Sequence, residues 1–95
     1  MMRPKLYQVV PNKDFSVLLY YDNGEIKKYD CKWVLEEGGV FEKIYDADEF
    51  VNLCTIMNNT LAFDISGEFD PTNCIDICPD TLYEESVPAA DIFAA

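Results

Sequence analysis

The string Asp22-Asn23-Gly24-Glu25 separates two β-prone runs, residues 15–21 and 26–30, and constrains the fold more than any other part of the chain. Asn and Gly adopt positive φ at low cost, so an Asn-Gly between apolar runs folds them back on each other as an antiparallel hairpin. Two registers satisfy the sequence. A two-residue loop sets Tyr29 opposite Leu18, and a bulged three-residue loop sets it opposite Val17.

The remaining elements follow from local chemistry. Residues 6–10 form a β-prone run stopped by Pro11 and Asn12. Residues 32–37 predict one or two helical turns that end at Gly38-Gly39, where a left-handed cap is easy, with Trp33 and Leu35 docked on the sheet. Residues 40–45 read as an extended linker anchored by Phe41 and Ile44. Asp46 is an N-cap, Glu49 stands in capping-box position and Asp48 complements the helix N-terminus. Phe50 and Leu53 then share one helical face, with Val51 beside them. Residues 54–57 and 60–64 read as strands around an Asn58-Asn59 turn, and 66–73 as a polar loop. Residues 74–77 make a last brief strand, and Pro79 suits the first position of a helical turn that packs through Leu82 and Tyr83. The expected architecture is α+β: a small, mostly antiparallel sheet with an N-terminal hairpin and two or three short helices. Residues 1–85 form one domain, and residues 86–95, which lack periodicity, are expected to be a mobile C-terminal tail.

Charge limits the partners. The chain carries 18 acidic and 7 basic side chains, a net charge of −11. Six of the bases precede Trp33, and Lys43 is the one base after it. Such a surface repels nucleic acid, whose binding depends on Lys and Arg at phosphates, and it is disfavoured at anionic membranes. It keeps a small protein soluble, and it attracts a basic protein. No secretory h-region follows the N-terminal charges, and no apolar run approaches the ~20 residues needed to span a bilayer. A cytoplasmic location is expected, and with it Cys31, Cys54, Cys74 and Cys78 as free thiols.

Four stretches in this order resemble a known family: Leu18-Leu19-Tyr20-Tyr21-Asp22-Asn23-Gly24-Glu25, Tyr29-Asp30-Cys31-Lys32-Trp33-Val34-Leu35, Val40-Phe41-Glu42-Lys43-Ile44 with Phe50, and Ile75-Asp76-Ile77-Cys78-Pro79-Asp80-Thr81-Leu82-Tyr83. Their spacing through most of residues 6–85 resembles the small bacterial family catalogued as domain of unknown function 2442 (DUF2442). The resemblance implies a small α+β unit with a mostly antiparallel sheet and no established activity. Some relatives carry a helix-turn-helix after this domain, and others are encoded beside a second small protein in arrangements similar to toxin–antitoxin pairs. The resemblance thus implies a partner-dependent module, with the binding half of a regulatory pair as one form of it.

Residues that carry chemistry are sparse. The chain has no histidine, which removes Ser-His and Cys-His nucleophile pairs and the commonest metal ligand. Its four glycines make no phosphate-cradling pattern. Cys74 and Cys78 lack the two-residue spacing of common zinc sites. Asp64, Glu68, Asp70, Asp76 and Asp80 lack the ligand alternation of a calcium loop and read as solvated charge. Tyr20, Tyr21, Tyr29, Trp33, Phe41 and Phe50 are needed for the core of so small a domain, and any aromatic left exposed, above all on the edge run 6–10, marks an interaction surface. No residue is assigned a catalytic, cofactor-binding or metal role, and no cofactor is expected. The sequence therefore points to a non-enzymatic module that binds a basic protein, or itself. A small-ligand binder or an enzyme is the less favoured alternative.

Overall fold

The computed structural model describes residues 4–68 and 74–89. Strands β1 (Leu6–Pro11), β2 (Ser16–Tyr21) and β3 (Ile26–Asp30) run consecutively antiparallel, and β7 (Val87–Pro88) joins the free edge of β3, giving the order β1-β2-β3-β7. A second antiparallel sheet follows the order β4-β5-β6, from Cys54–Met57, Thr60–Phe63 and Ile75–Asp76.

The hairpin takes the bulged register. Val17 pairs with Tyr29 and Tyr20 with Ile26, so Asp22-Asn23-Gly24 is a three-residue loop. The Tyr21 amide donates to the Glu25 carbonyl at 3.0 Å and the Gly24 amide to the Tyr21 carbonyl at 3.1 Å. Gly24 takes the left-handed position this loop needs, at φ +91°. A Cβ there would meet nothing within 4 Å, so Gly24→Ala tests backbone conformation alone. We expect it to lower stability by about 1–2 kcal/mol, read as a fall in the urea midpoint at unchanged slope. An unchanged midpoint would mean that the loop does not hold Gly24 to positive φ.

The β1–β2 connection has the same shape without the glycine. The Asn12 amide donates to the Ser16 carbonyl, the Phe15 amide donates to the Asn12 carbonyl, and Phe15 itself sits at φ +67°. The strand therefore begins at Ser16, one residue later than its β-prone run suggests. The Phe15 ring packs 4.9 Å from that of Phe50, a contact that offsets the strained backbone. Between β4 and β5, Asn58 and Asn59 both have positive φ, and Met57 pairs with Thr60 across the two-residue turn.

Side-chain alternation puts Val17, Leu19 and Tyr21 of β2 and Tyr29 of β3 in the core with Leu61 and Phe63 of β5. Helix α1 (Ala47–Leu53) links the two sheets. Asp46 accepts hydrogen bonds from the amides of Asp48 and Glu49 and so caps it, and Phe50 is fully buried against Phe15 and Phe63. Helix α2 (Pro79–Glu85) has its proline in the first turn and buries Leu82.

Three segments depart from the sequence reading. Residues 40–45 are not an extended linker, because Gly39–Ile44 is a 3₁₀ helix that follows a first one at Lys32–Glu36. Trp33 packs against the core as expected, but its companion in docking the first is Val34, fully buried, while Leu35 points out. Within the expected tail, Val87 and Pro88 pair with Lys28 and Lys27, and the Ala89 amide donates to the Ile26 carbonyl at 2.8 Å. The rest of that tail, residues 90–95, lies outside the described residues, as do positions 69–73 of the polar loop.

Candidate functional site

The two 3₁₀ helices carry a concentration of exposed apolar surface. The first starts directly from β3, with the Asp30 carboxylate accepting from the Lys32 amide at 2.9 Å. A 3₁₀ helix repeats every three residues, so a five-residue piece turns few side chains inward. Val34 from the first and Ile44 from the second are buried, and this inward pair fixes both helices to the core. Leu35 (43% exposed), Val40 (50%) and Tyr45 (38%) face outward. Of the large apolar side chains exposed among the described residues, the other two, Tyr7 and Val87, lie elsewhere.

Several contacts brace this surface. Trp33 meets Phe41 edge-on at 5.5 Å between ring centroids, and its Nε1 donates to the Tyr29 hydroxyl at 3.2 Å. The Tyr45 hydroxyl donates to the Glu37 carbonyl and ties the end of the second helix to the end of the first. Gly39 (φ +65°) lets the chain reverse between them. The helix pair and its flanks also carry Glu36, Glu37 and Glu42, all exposed, with Lys32 and Lys43 as bases. Leu35, Val40 and Tyr45 could not be recognised as exposed from sequence, since the period-3 signal of two such short helices is too brief to read.

A second cluster closes the opposite end of the hairpin. The Tyr83 hydroxyl of α2 donates to Glu25 Oε1 at 2.6 Å, and its ring stands edge-on to Tyr21 at 5.2 Å. Lys27 Nζ lies 3.8 Å from the centre of the Tyr83 ring and donates to the Tyr83 carbonyl at 2.7 Å, placing a cation at the C-terminal end of α2. The Tyr83 hydroxyl, and then Asn23, hold the Glu25 carboxyl below its ordinary value, while Glu25 raises the Tyr83 phenol. A carboxyl depressed in the folded state stabilises it above the unfolded value, near 4.5, and that stabilisation is lost as pH falls through the folded value. Tyr83→Phe removes the larger cause. We therefore expect its urea midpoint to change less than that of the wild type between about pH 5 and pH 3. Parallel pH profiles would remove Tyr83 as the cause.

The thiols occupy unlike places. Cys31 is buried in the core and burial pushes its thiol up; Cys54 is half-buried at the start of β4, and burial pushes its thiol up to about 12. Cys78 is exposed at the N-cap of α2. There the polar groups of the first turn of α2, the Thr81 backbone and side chain and then the Asp80 backbone, lower its pKa. Cys74 is half-buried just before β6, with Asn58 Nδ2 4.0 Å from its sulfur. Among the described residues no three acidic or thiol side chains are grouped so as to hold a metal ion. The carboxylates singled out from sequence are dispersed. Asp64 accepts from the Ser66 hydroxyl at 3.2 Å, Asp76 accepts from Asn58 Nδ2 at 3.3 Å, and Asp80 lies in the first turn of α2. Glu68 is exposed in the loop after β5, and Asp70 falls outside the described residues. Of the six aromatics named with them, Tyr20, Tyr21, Tyr29 and Phe50 are buried and Trp33 and Phe41 half-buried, as core packing requires. Tyr7 is the aromatic left exposed on the edge strand β1, turned outward by a bulge between Leu6 and Gln8.

No helix among the described residues is long and apolar enough to cross a membrane. No curated protein and no solved structure matches the chain. The model of one family, described as "Protein of unknown function (DUF2442)", matches residues 7–88, a span that takes in both sheets except Leu6, the 3₁₀ pair and both α-helices. The chain belongs to the DUF2442 family.

Proposed function

We propose that this domain is a non-enzymatic protein-interaction module that binds a basic partner through the outward face of its two 3₁₀ helices. The observation that carries the reading is the exposure of Leu35, Val40 and Tyr45 on one braced element pair that, with its flanks, also carries Glu36, Glu37 and Glu42. Exposed apolar side chains with a polar rim are the usual anatomy of a recognition surface. The rim has more acids than bases, so it favours a partner whose apolar contacts are flanked by Lys or Arg. Two copies of this chain would bring the same glutamates together, at a net charge of −11 each, which favours a basic partner over self-association.

Tagged wild-type protein, and a variant carrying Leu35→Glu and Val40→Glu, would be used to isolate and then titrate the co-purifying protein. Both positions are exposed, so the variant keeps the fold. We expect a basic companion in fixed ratio, an affinity at least ~10-fold weaker in 0.5 M than in 0.05 M salt, and loss of binding by the variant. Binding that ignores salt would remove charge from the account. Retention of the companion by the variant would place the surface elsewhere.

A further inference from the structure

The first sheet has a second face, turned away from the shared core cluster, on which Leu18 and Tyr20 are also buried. Ser16 pairs with Asp30, Leu18 with Lys28, and Lys28 with Val87, so all five side chains lie opposite the face that holds Val17, Leu19 and Tyr29. At one end of this outer face is a cleft of about 180 Å³, its walls completed by Asp14, Lys32 and Glu85. It brings together the ends of β2, β3 and α2 and the short strand β7.

The cleft holds charges of both signs: hydrogen bonds from Ser16 hold the Asp14 carboxyl below its ordinary value, and Lys28 and Lys32 add to this through space without closing an ion pair. Lys13 pairs with Asp48 at 3.0 Å and Lys27 is held by Tyr83, but the ammonium groups of Lys28 and Lys32 have no ion pair or hydrogen bond among the described residues. This is unexpected in a chain with more than twice as many acids as bases, three of them in the same cleft. Two of those carboxylates are fixed in place. Asp14 Oδ1 accepts from the Ser16 amide at 3.0 Å and the Ser16 hydroxyl at 2.5 Å, and Asp30 Oδ1 accepts from the Lys32 amide at 2.9 Å. The second oxygen of each makes no hydrogen bond among the described residues. A ligand with a single charge would match one set of groups and desolvate the other without compensation. A ligand with both charges matches both. The volume is below that of drug-sized pockets and suits a molecule of a few heavy atoms, and Val87, 56% exposed at the rim, adds an apolar contact.

We infer that this cleft binds a free α-amino acid with an apolar side chain, its carboxylate at Lys28 and Lys32 and its ammonium at Asp14 and Asp30. The site takes Lys32 from the first 3₁₀ helix but none of Leu35, Val40 or Tyr45, and it stands whether or not those residues bind a protein. The test is an amide NMR titration of the whole chain with L-valine, using isovalerate and isobutylamine as the same skeleton with one charge removed. Saturable shifts are expected at Ser16, Lys28, Asp30 and Val87, with a dissociation constant on the order of 1 mM and at least ~10-fold weaker responses to either control. Lys28→Gln with Lys32→Gln should abolish the valine response while leaving the spectrum dispersed, and Leu35→Glu with Val40→Glu should leave it intact. Three results would overturn the assignment: isovalerate matching valine, no saturable response to valine up to about 50 mM, or shifts confined to other residues.

Discussion

Phe50→Ala should remove about 3–5 kcal/mol of folding free energy, a third or more of what a domain of this size ordinarily has. The Phe50 side chain is fully buried and stands where three parts of the fold meet. Its ring lies 4.9 Å from Phe15 in the β1–β2 loop and 5.1 Å from Phe63 on β5, so it joins the first sheet to the second through α1. Truncation removes the transfer energy of a large apolar group and leaves a cavity bordered by two further rings. Phe15 is also released from the contact that offsets its left-handed backbone. Leu35→Ala is the matched comparison. It deletes a side chain of similar character from an exposed position and should change stability by no more than about 0.5 kcal/mol. Urea unfolding of both variants decides the matter, and a Phe50→Ala midpoint close to the wild type would refute this account of the core.

The second large effect is chemical. In the native protein Cys78 should alkylate with iodoacetamide at least about a hundredfold faster than Cys54 at neutral pH, with Cys31 slower still. A thiol near 12 is about 10⁻⁵ thiolate at pH 7, whereas one at or below 9.0 is about 10⁻² or more. Ionisation alone therefore separates Cys78 from Cys54 by about a thousandfold. The more basic thiolate is the better nucleophile, which returns between one and two powers of ten. Limited access to Cys54 and Cys31 restores the gap. The Cys78 rate should rise as pH approaches its pKa from below and level off above it, while Cys54 should keep rising well beyond pH 9. Peptide-resolved mass spectrometry reads each site separately, and in urea the differences should collapse. Native labelling of Cys54 or Cys31 at the Cys78 rate would contradict the burial described for them.

Where one residue type sets the backbone locally, sequence was a good guide. Gly24 after Asn23, and both Asn58 and Asn59, turn the chain through positive φ, Asp46 caps α1 with its own carboxylate, and Pro79 opens α2. The hairpin register was open between two loops because both accept Asn-Gly; Gly24 at φ +91° and the Val17–Tyr29 pair select the bulged one. Long-range effects were not legible. Val87 and Pro88 form a strand only because β3 offers them a free edge, and two residues carry no periodicity of their own. The 3₁₀ pair failed for a related reason. Each helix buries one residue, Val34 or Ile44, so no repeat exists to distinguish inside from outside, and Leu35 was placed on the wrong side. The exposed surface thus became visible only in three dimensions, as did the charged cleft beside β7.

The clasp between α2, β7 and the first hairpin also sets an order of events in time. Strands β1, β2 and β3 are neighbours along the chain and close through three-residue loops, so their pairing requires little loop entropy and can form early. The contacts of Lys27 and Glu25 with Tyr83 join residues 56 and 58 positions apart, and the two residue pairs of β7 depend on the same long closure. Such contacts form late, and those of β7, whose Val87 and Pro88 are both exposed, have little burial and are the first to open. The amide of Ala89, which donates to the Ile26 carbonyl, should therefore exchange with solvent faster than those of Val17 or Leu19 in the central strand. Strand β7 can release while the three-stranded meander and the Leu82 anchor of α2 stay folded.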